Sequence, residues 1–590
     1  MVKLHILILS MPANRLDEDQ QHINGYENGV YRVNKSDEDC GIPKKISRRE
    51  FLKKAGIVIG GAALASIPVF SACNDIKTST AAAGSRATAS GPLTSNTTAL
   101  LTTAHKAVTS KPAAVTTTIT TTSPIAADST PTTAPSPTTT AIISTGNPFN
   151  GNVILGRPAD VTIGLSLLSS VKTDVYIEYG NTTGVYNDQT SKYTSQPNQP
   201  LQIDIDNLQA HTRYFYRVCH HVTGEIGFSA GTESTFHTQR TPGSTFNFGV
   251  QGDSHPERTT TMFNPDLYNL TMANVKNANP DFYFLMGDDF SVDPMISKNQ
   301  LSQPAVNDLY SNQRNHLNSI GNSSPIFLVN GNHDQAARYL LDGTANNAAV
   351  FVGQARTQYF PLPAPGSFYS GDTEPVPFIG LLRDYYAWTW GDALFVLIDF
   401  YWHSPVAVDN VAGNETTKTK DMWEVTLGDT QYNWFKQTLE GSKAKYKFVF
   451  SHHVLGTGRG GIEEAGQYEW GGNGSKGNWQ FDSMRPGWAM PIHQLMAKNG
   501  VSIFFHCHDH LFAHQVLDGV VYQEVPIPAD FTYTAFNSDA YKSGSVLPNA
   551  GFLNVTVSTA QVKVDYISSY LPKDEKTGRQ NGQIAISYSL

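Results

Sequence analysis

Five apolar runs in the second half of the chain each lead into side chains that hold cations or move protons. The run 246–250 leads into Gly252-Asp253-Ser254-His255, 282–286 into Gly287-Asp288-Asp289, and 325–329 into Gly331-Asn332-His333-Asp334. The run 446–450 leads into Ser451-His452-His453, and 501–505 into His506-Cys507-His508-Asp509-His510. Carboxylate oxygen, amide oxygen and imidazole nitrogen suit hard and borderline metal ions, and this set supplies all three without a thiolate. A centre for two ions needs a carboxylate that reaches both, and Asp288, at the end of its own run, is the candidate bridge.

Short apolar runs of this kind are strands buried on both faces, and in such sheets functional groups gather at the carboxyl ends, where loops open. Further alternating runs at 520–525, 551–557 and 561–566 read as strands that complete a second sheet and carry no chemistry. Between 152 and 238, period-two runs such as 161–167 and 175–179, separated by Gly, Asn and Thr, read as a small sandwich. His220 and His221 are expected at its surface.

At 590 residues the chain is too long for one hydrophobic core, so two or more domains are expected. A net charge of -9 gives no reason to expect specific nucleic-acid binding. The four cysteines, Cys40, Cys73, Cys219 and Cys507, are too scattered for a paired metal site or a disulfide framework.

Ser47-Arg48-Arg49-Glu50-Phe51-Leu52-Lys53, followed by the apolar stretch 55–70, resembles a twin-arginine export signal. The stretch is shorter than the roughly 20 residues that span a bilayer. Phe70-Ser71-Ala72-Cys73 resembles a lipoprotein cleavage site, which makes Cys73 the candidate for lipidation; Phe70 stands where Leu is usual, and cleavage to a released protein is the alternative. The Thr-, Ser-, Ala- and Pro-rich stretch 76–145 cannot bury enough surface to fold and reads as a stalk. The expected organisation is a twin-arginine signal with a lipobox and a long N-region over 1–73, a disordered stalk over 74–149, the sandwich over 150–240 and the catalytic domain over 241–590. It implies an extracytoplasmic lipoprotein, at the cell surface or in the periplasm, whose partners are the export machinery and the membrane that holds its lipid.

The order Asp-x-His, Gly-Asp, Gly-Asn-His-Asp, His-His, x-His-x-His resembles the signature of calcineurin-like metallophosphoesterases over about 246–567. Leu208-Gln209-Ala210-His211-Thr212-Arg213-Tyr214 resembles the tyrosine corner of fibronectin type III domains, with Ala210 at the usual Pro, and such a sandwich precedes the catalytic domain in purple acid phosphatases. The resemblance implies an α/β (α+β) four-layer sandwich of two β-sheets flanked by helices, preceded by an all-β fibronectin type III-like sandwich. It implies a first ion on Asp253, His255, Asp288 and His510 and a second on Asp288, Asn332, His452 and His508. The ions are two divalent or trivalent metals, with Mn, Zn and Fe all compatible. The implied reaction is attack of metal-activated hydroxide on a small-molecule phosphate mono- or diester, with His333 assisting the leaving group and Asp334 orienting its ring.

The chain departs from the family in several places. The last motif allows two registers, His506-x-His508 or His508-x-His510; the second is preferred and puts Cys507, as a small buried side chain, where the family has Gly. Neighbours at a strand end point to opposite faces, so His452 is the expected ligand, and His453 either reaches the substrate or packs. The tyrosinate ligand of purple acid phosphatases is missing from Asp289-Phe290-Ser291, so no purple colour is expected. The long segment 454–490 offers Arg459 and Arg485 to phosphate and Trp470, Trp479 and Trp488 to a base or an apolar group, or simply packs over the sheet. An alternative function is a cell-surface binding lipoprotein with an inert metallophosphoesterase domain; the complete ligand set argues against it.

Overall fold

Strands with large apolar side chains on both faces are stable only between two covering layers, and the aromatic content of the runs around the candidate residues dictates where those layers meet. The computed structural model describes residues 149–409, 419–455 and 458–590. The expected signal, Cys73 and the stalk to 148 lie outside the described residues.

One sheet has the order Ile326–Leu328, Tyr283–Leu285, Phe246–Gln251, Gly551–Val557, Val562–Ser568, Ile584–Ser589, parallel over its first three strands and antiparallel thereafter. The other has eight strands, with Ala393–Leu397, Tyr446–Phe450, Ile503–His506 and Val520–Glu524 parallel at its centre. Phe248, Phe284 and Phe327 of the first face Trp388, Phe395, Phe450 and Phe505 of the second. Phe284 stacks on Phe450 at 4.2 Å, and Phe248 meets Phe395 edge-on at 5.1 Å. Each such ring contributes about 1.5–3 kcal/mol by leaving water, so the seam between the sheets is the main cohesive surface of the domain.

Helices cover the outer faces. Pro265–Ala278, Gln303–Gly321 and Ala348–Tyr359 set Tyr268, Met272, Leu317 and Val352 onto the first sheet. Gly428–Gly441 and Ile492–Lys498 set Tyr432, Phe435 and Leu495 onto the second. The result is helix, sheet, sheet, helix: a mixed α/β domain with the layering expected. Among the described residues no helix is long and apolar enough to cross a membrane.

Residues 151–237 form two antiparallel sheets around Leu155, Leu165, Ile177, Ile203 and Phe236. The Tyr214 hydroxyl accepts a 2.8 Å hydrogen bond from the Gln209 N–H, the tether expected of this Tyr. His220 is buried with its ring edge-on to Phe149, not at the surface, because it lies on the strand face that Phe149 covers. His221 is partly buried, with its ring 4.3 Å from that of Phe228, and pairs with Asp174 at 3.2 Å.

The sandwich is bolted to the α/β part by Arg314, a fully buried side chain of Gln303–Gly321. It donates to Asn152 Oδ1 at 2.6 Å, Ser166 Oγ at 2.7 Å, the Ser166 carbonyl at 2.9 Å and the Tyr359 carbonyl at 2.6 Å. Replacing Arg314 with Leu strands these acceptors in the interior and is expected to cost about 2–4 kcal/mol. Urea unfolding checks this; an unchanged midpoint would show that the guanidinium adds nothing net to the junction.

Candidate metal centre

The loops that follow the parallel strands bend sharply, and the bends fall on the candidate ligands. His255, Asp288, His508 and His510 have φ of 46°, 57°, 86° and 60°, a left-handed conformation that non-glycine residues avoid at a cost of order 1–3 kcal/mol. Two glycines let the loops close together. A Cβ on Gly287 would lie 2.8 Å from His452 Nδ1, and one on Gly331 would lie 2.2 Å from Asp288 Oδ1.

Asp288 Oδ2 stands at the middle, 3.2 Å from His452 Nε2, 3.7 Å from His255 Nε2 and 4.0 Å from His333 Nε2. Asp253 Oδ2 lies 3.0 Å from His510 Nε2 and 3.6 Å from His255 Nε2. His452 Nε2 is 3.0 Å from Asn332 Oδ1, and the donor atoms of His452, His453 and His508 cluster within 4.8 Å. Asp253 Oδ2, Asp288 Oδ2 and His255 Nε2 are buried, and the groups nearest them are the other candidate ligands. Buried carboxylates and imidazoles that converge on one another in this way fit a site built for cations. On this chemistry Asp253, His255 and His510 suit one ion and Asn332, His452 and His508 another, with Asp288 reaching both sides.

The outer ring nitrogens are tied down. His255 Nδ1 is 2.9 Å from Glu257 Oε1 and His452 Nδ1 is 2.9 Å from the Met286 carbonyl, which turns each Nε2 inward. His506 belongs to strand Ile503–His506 and sets Nδ1 2.6 Å from Glu524 Oε2, away from this cluster, in keeping with the second register. Cys507 is a small buried side chain, with Sγ 3.0 Å from His452 Nδ1.

Several expected roles need correction. Asp334 does not orient His333: its carboxylate turns back under the loop and accepts the N–H groups of Asp288, Phe290 and Gly331 at 3.1, 2.9 and 2.8 Å. Asp293, in the first turn of Asp293–Ser297, holds His333 Nδ1 at 2.8 Å instead. His453 is not turned to the opposite face from His452, because the strand ends at Phe450 and the alternation ends with it. Its ring stacks on His508 at 4.2 Å, and its Nδ1 meets the Tyr401 hydroxyl.

Arg485 is committed to the buried Glu469 and to the Trp423 carbonyl, so it packs the loop rather than offering itself to substrate. Trp470 is buried, and Trp488 stacks on Tyr432 at 3.8 Å. Arg459 donates to the His508 carbonyl at 2.7 Å and to Asp509 Oδ1 at 3.1 Å, which braces the ligand loop. Asp293, Glu257, Tyr401 and Arg258, whose Nη2 is 3.0 Å from His333 Nε2, were not legible as site residues. Only Glu257 and Arg258 carried a signal, as charges close behind Asp253-Ser254-His255.

Charge follows the same geometry. Burial opposes the charge on His255, but the hydrogen bonds of Asp253 and Glu257 outweigh it and lift the ring to about 9. Burial likewise opposes His452, and the carboxylates of Asp288 and Asp253 lift it to about 10. Burial lowers His510 to about 4 and pushes His508 well below the ordinary range, so both stay neutral.

Residues 246–512 match the family model described as calcineurin-like phosphoesterase. Among solved structures, PhoD is similar at 14% identity and a TM-score of 0.51, over 72% of this chain and 87% of that one. A purple acid phosphatase from yellow lupin (Lupinus luteus) seeds is 14% identical over 75% of this chain and 74% of that one, with a TM-score of 0.46. A putative 5'-nucleotidase from Staphylococcus aureus is 15% identical over 57% and 55%, with a TM-score of 0.31. The likeness to PhoD speaks to the fold alone. No curated protein matches the sequence.

With His255 and His452 held at about 9 and about 10, both carry a proton near pH 7.5 in the metal-free protein. Metal loading is therefore expected to release about two protons per chain, since a ligating imidazole must be neutral. Calorimetric titration with Mn or Zn in buffers of different ionisation enthalpy measures the number; a value near zero would contradict the charge state described.

Proposed function

We propose, for a chain whose residues 246–512 form a calcineurin-like phosphoesterase domain, that it hydrolyses phosphate mono- or diesters with two metal ions held on either side of Asp288. The observation that carries this reading is the convergence of the buried atoms Asp253 Oδ2, His255 Nε2 and Asp288 Oδ2 from the loops after two neighbouring strands. In this reading Asp253, His255, Asp288 and His510 hold one ion and Asp288, Asn332, His452 and His508 the other. Bound there, Mn, Zn or Fe would polarise the phosphoryl oxygens and make hydroxide available near neutral pH.

The chain's own residues do the rest. His333, with Nδ1 anchored by Asp293, keeps Nε2 toward the centre and is the group read as passing a proton to the departing ester oxygen. His453, stacked on His508, is read as a wall of the same pocket. Arg459 is read as a brace of the loop 508–510. The absence of a tyrosine from Asp289-Phe290-Ser291 argues against a purple centre. The sandwich is read as fibronectin type III-like on the strength of the Tyr214 tether. Export by the twin-arginine route, lipidation at Cys73 and an extracytoplasmic location belong to the same proposal, supported by Arg48-Arg49 and Ser71-Ala72-Cys73.

Purified protein loaded with Mn or Zn is expected to turn over p-nitrophenyl phosphate or bis-p-nitrophenyl phosphate and to lose activity on chelation. No turnover of either ester under any metal condition would sink the proposal. Asp288→Asn, which removes the shared charge, is expected to lower kcat/KM by about 10³-fold or more. Asp293→Ala, which frees the ring of His333, is expected to lower kcat by about 10- to 100-fold while metal content by elemental analysis stays at the wild-type level. Loss of metal from that variant would assign Asp293 to the ions instead.

A further inference from the structure

We propose that Arg258 recognises the phosphoryl group and selects phosphate monoesters over diesters, an inference that rests on the phosphoesterase reading above. Its guanidinium sits one imidazole away from the centre: Nη2 is 3.0 Å from His333 Nε2, and that nitrogen is 4.0 Å from Asp288 Oδ2. Nε is 3.2 Å from Glu257 Oε1, the same oxygen that meets His255 Nδ1, so one carboxylate fixes both the arginine stem and a candidate ligand. The side chain is 27% exposed, open enough to meet a small molecule.

The partner that Arg258 has is a poor one for a guanidinium. An imidazole nitrogen carries no negative charge for the guanidinium to meet, and His333 Nδ1 is already held by the Asp293 carboxylate. A phosphate oxygen is a far stronger acceptor, and a guanidinium anchored through Nε still has its outer nitrogens to fork onto one. Exchange of the imidazole for an anionic oxygen would also release His333 Nε2 toward the ester oxygen. Of the other two arginines that the sequence offered for phosphate, Arg485 is paired with the buried Glu469, and Arg459 reaches Asp509 and the His508 carbonyl through Nη1.

The selectivity follows from counting oxygens. A monoester keeps three non-ester oxygens and a second negative charge, so one anionic oxygen is left for Arg258 beyond those that the ions neutralise. A diester has an ester oxygen and an organic group in its place, and meets the guanidinium with a weaker, uncharged acceptor.

The test uses the full metal-loaded chain as wild type, Arg258→Ala and Arg258→Lys, with metal content and thermal midpoint matched. Arg258→Ala is expected to lower kcat/KM for p-nitrophenyl phosphate by about 10- to 100-fold, the value of a lost charge-assisted hydrogen bond pair. The loss for bis-p-nitrophenyl phosphate is expected to stay below about threefold, and Arg258→Lys, a charge without the fork, to fall between. The affinity for inorganic phosphate, read by calorimetry, is expected to weaken by the same factor as monoester turnover. Equal losses on both esters, a wild type that cleaves only the diester, or unchanged phosphate affinity in Arg258→Ala would overturn the proposal. If the wild type cleaves neither ester, the phosphoesterase reading falls, while the phosphate titration still decides for or against Arg258.

Discussion

The buried side chains of Asp253, Asp288 and His255 converge on one another, and the rest of the structure serves to hold them there. Buried carboxylates crowd each other and lose hydration, which without cations is offset by the imidazoles around them. The burial of Asp288 works against its charge, and His452 and His333 bring its carboxyl below the ordinary range all the same. An arrangement of this kind persists only if the scaffold is much stiffer than the site is unfavourable. The stacked aromatic seam between the two sheets supplies that stiffness, because the ligand-bearing loops begin where its strands end.

Stiffness at the strands would be wasted if the loops were slack, and each loop has its own tie. Asp334 gathers three N–H groups from the loops that carry Asp288 and Asn332. The loop 508–510 is held by Asp509, whose carboxylate takes the Gly460 N–H at 2.6 Å and the Tyr541 hydroxyl at 2.8 Å, and whose own N–H reaches Glu524 at 2.8 Å. Asn549 Nδ2 donates to the His510 carbonyl at 2.6 Å. These partners fix left-handed backbone at His508 and His510 that would relax in an open loop. Preorganisation of the candidate centre is thus distributed over residues that never touch it, and Arg314 extends the same frame to the sandwich.

The parts of the site that could be read from the sequence are those where a local pattern carries the information. An apolar run that stops at Asp253, Asp288, Asn332 or His452 marks a strand end whatever the tertiary contacts are. Roles that depend on a distant partner were not legible. Asp293 meets His333 across 40 positions, while its neighbour Asp334 looked like the obvious orienting group. Arg485 in a Gly- and Trp-rich stretch resembles a free cation until Glu469 is seen beside it. The register at 506–510 turns on the pairing of His506 with Glu524 across adjacent parallel strands, which no spacing rule contains. His453 was assigned a face by strand alternation that the chain had already left.

The central claim is that one carboxylate, Asp288, is shared by two cations. Anomalous diffraction from crystals grown with Mn tests it most directly. The account predicts two peaks, one among Asp253, His255 and His510 and one among Asn332, His452 and His508, with Asp288 within bonding distance of both. A single peak, or a pair that leaves Asp288 without a metal contact, would contradict it.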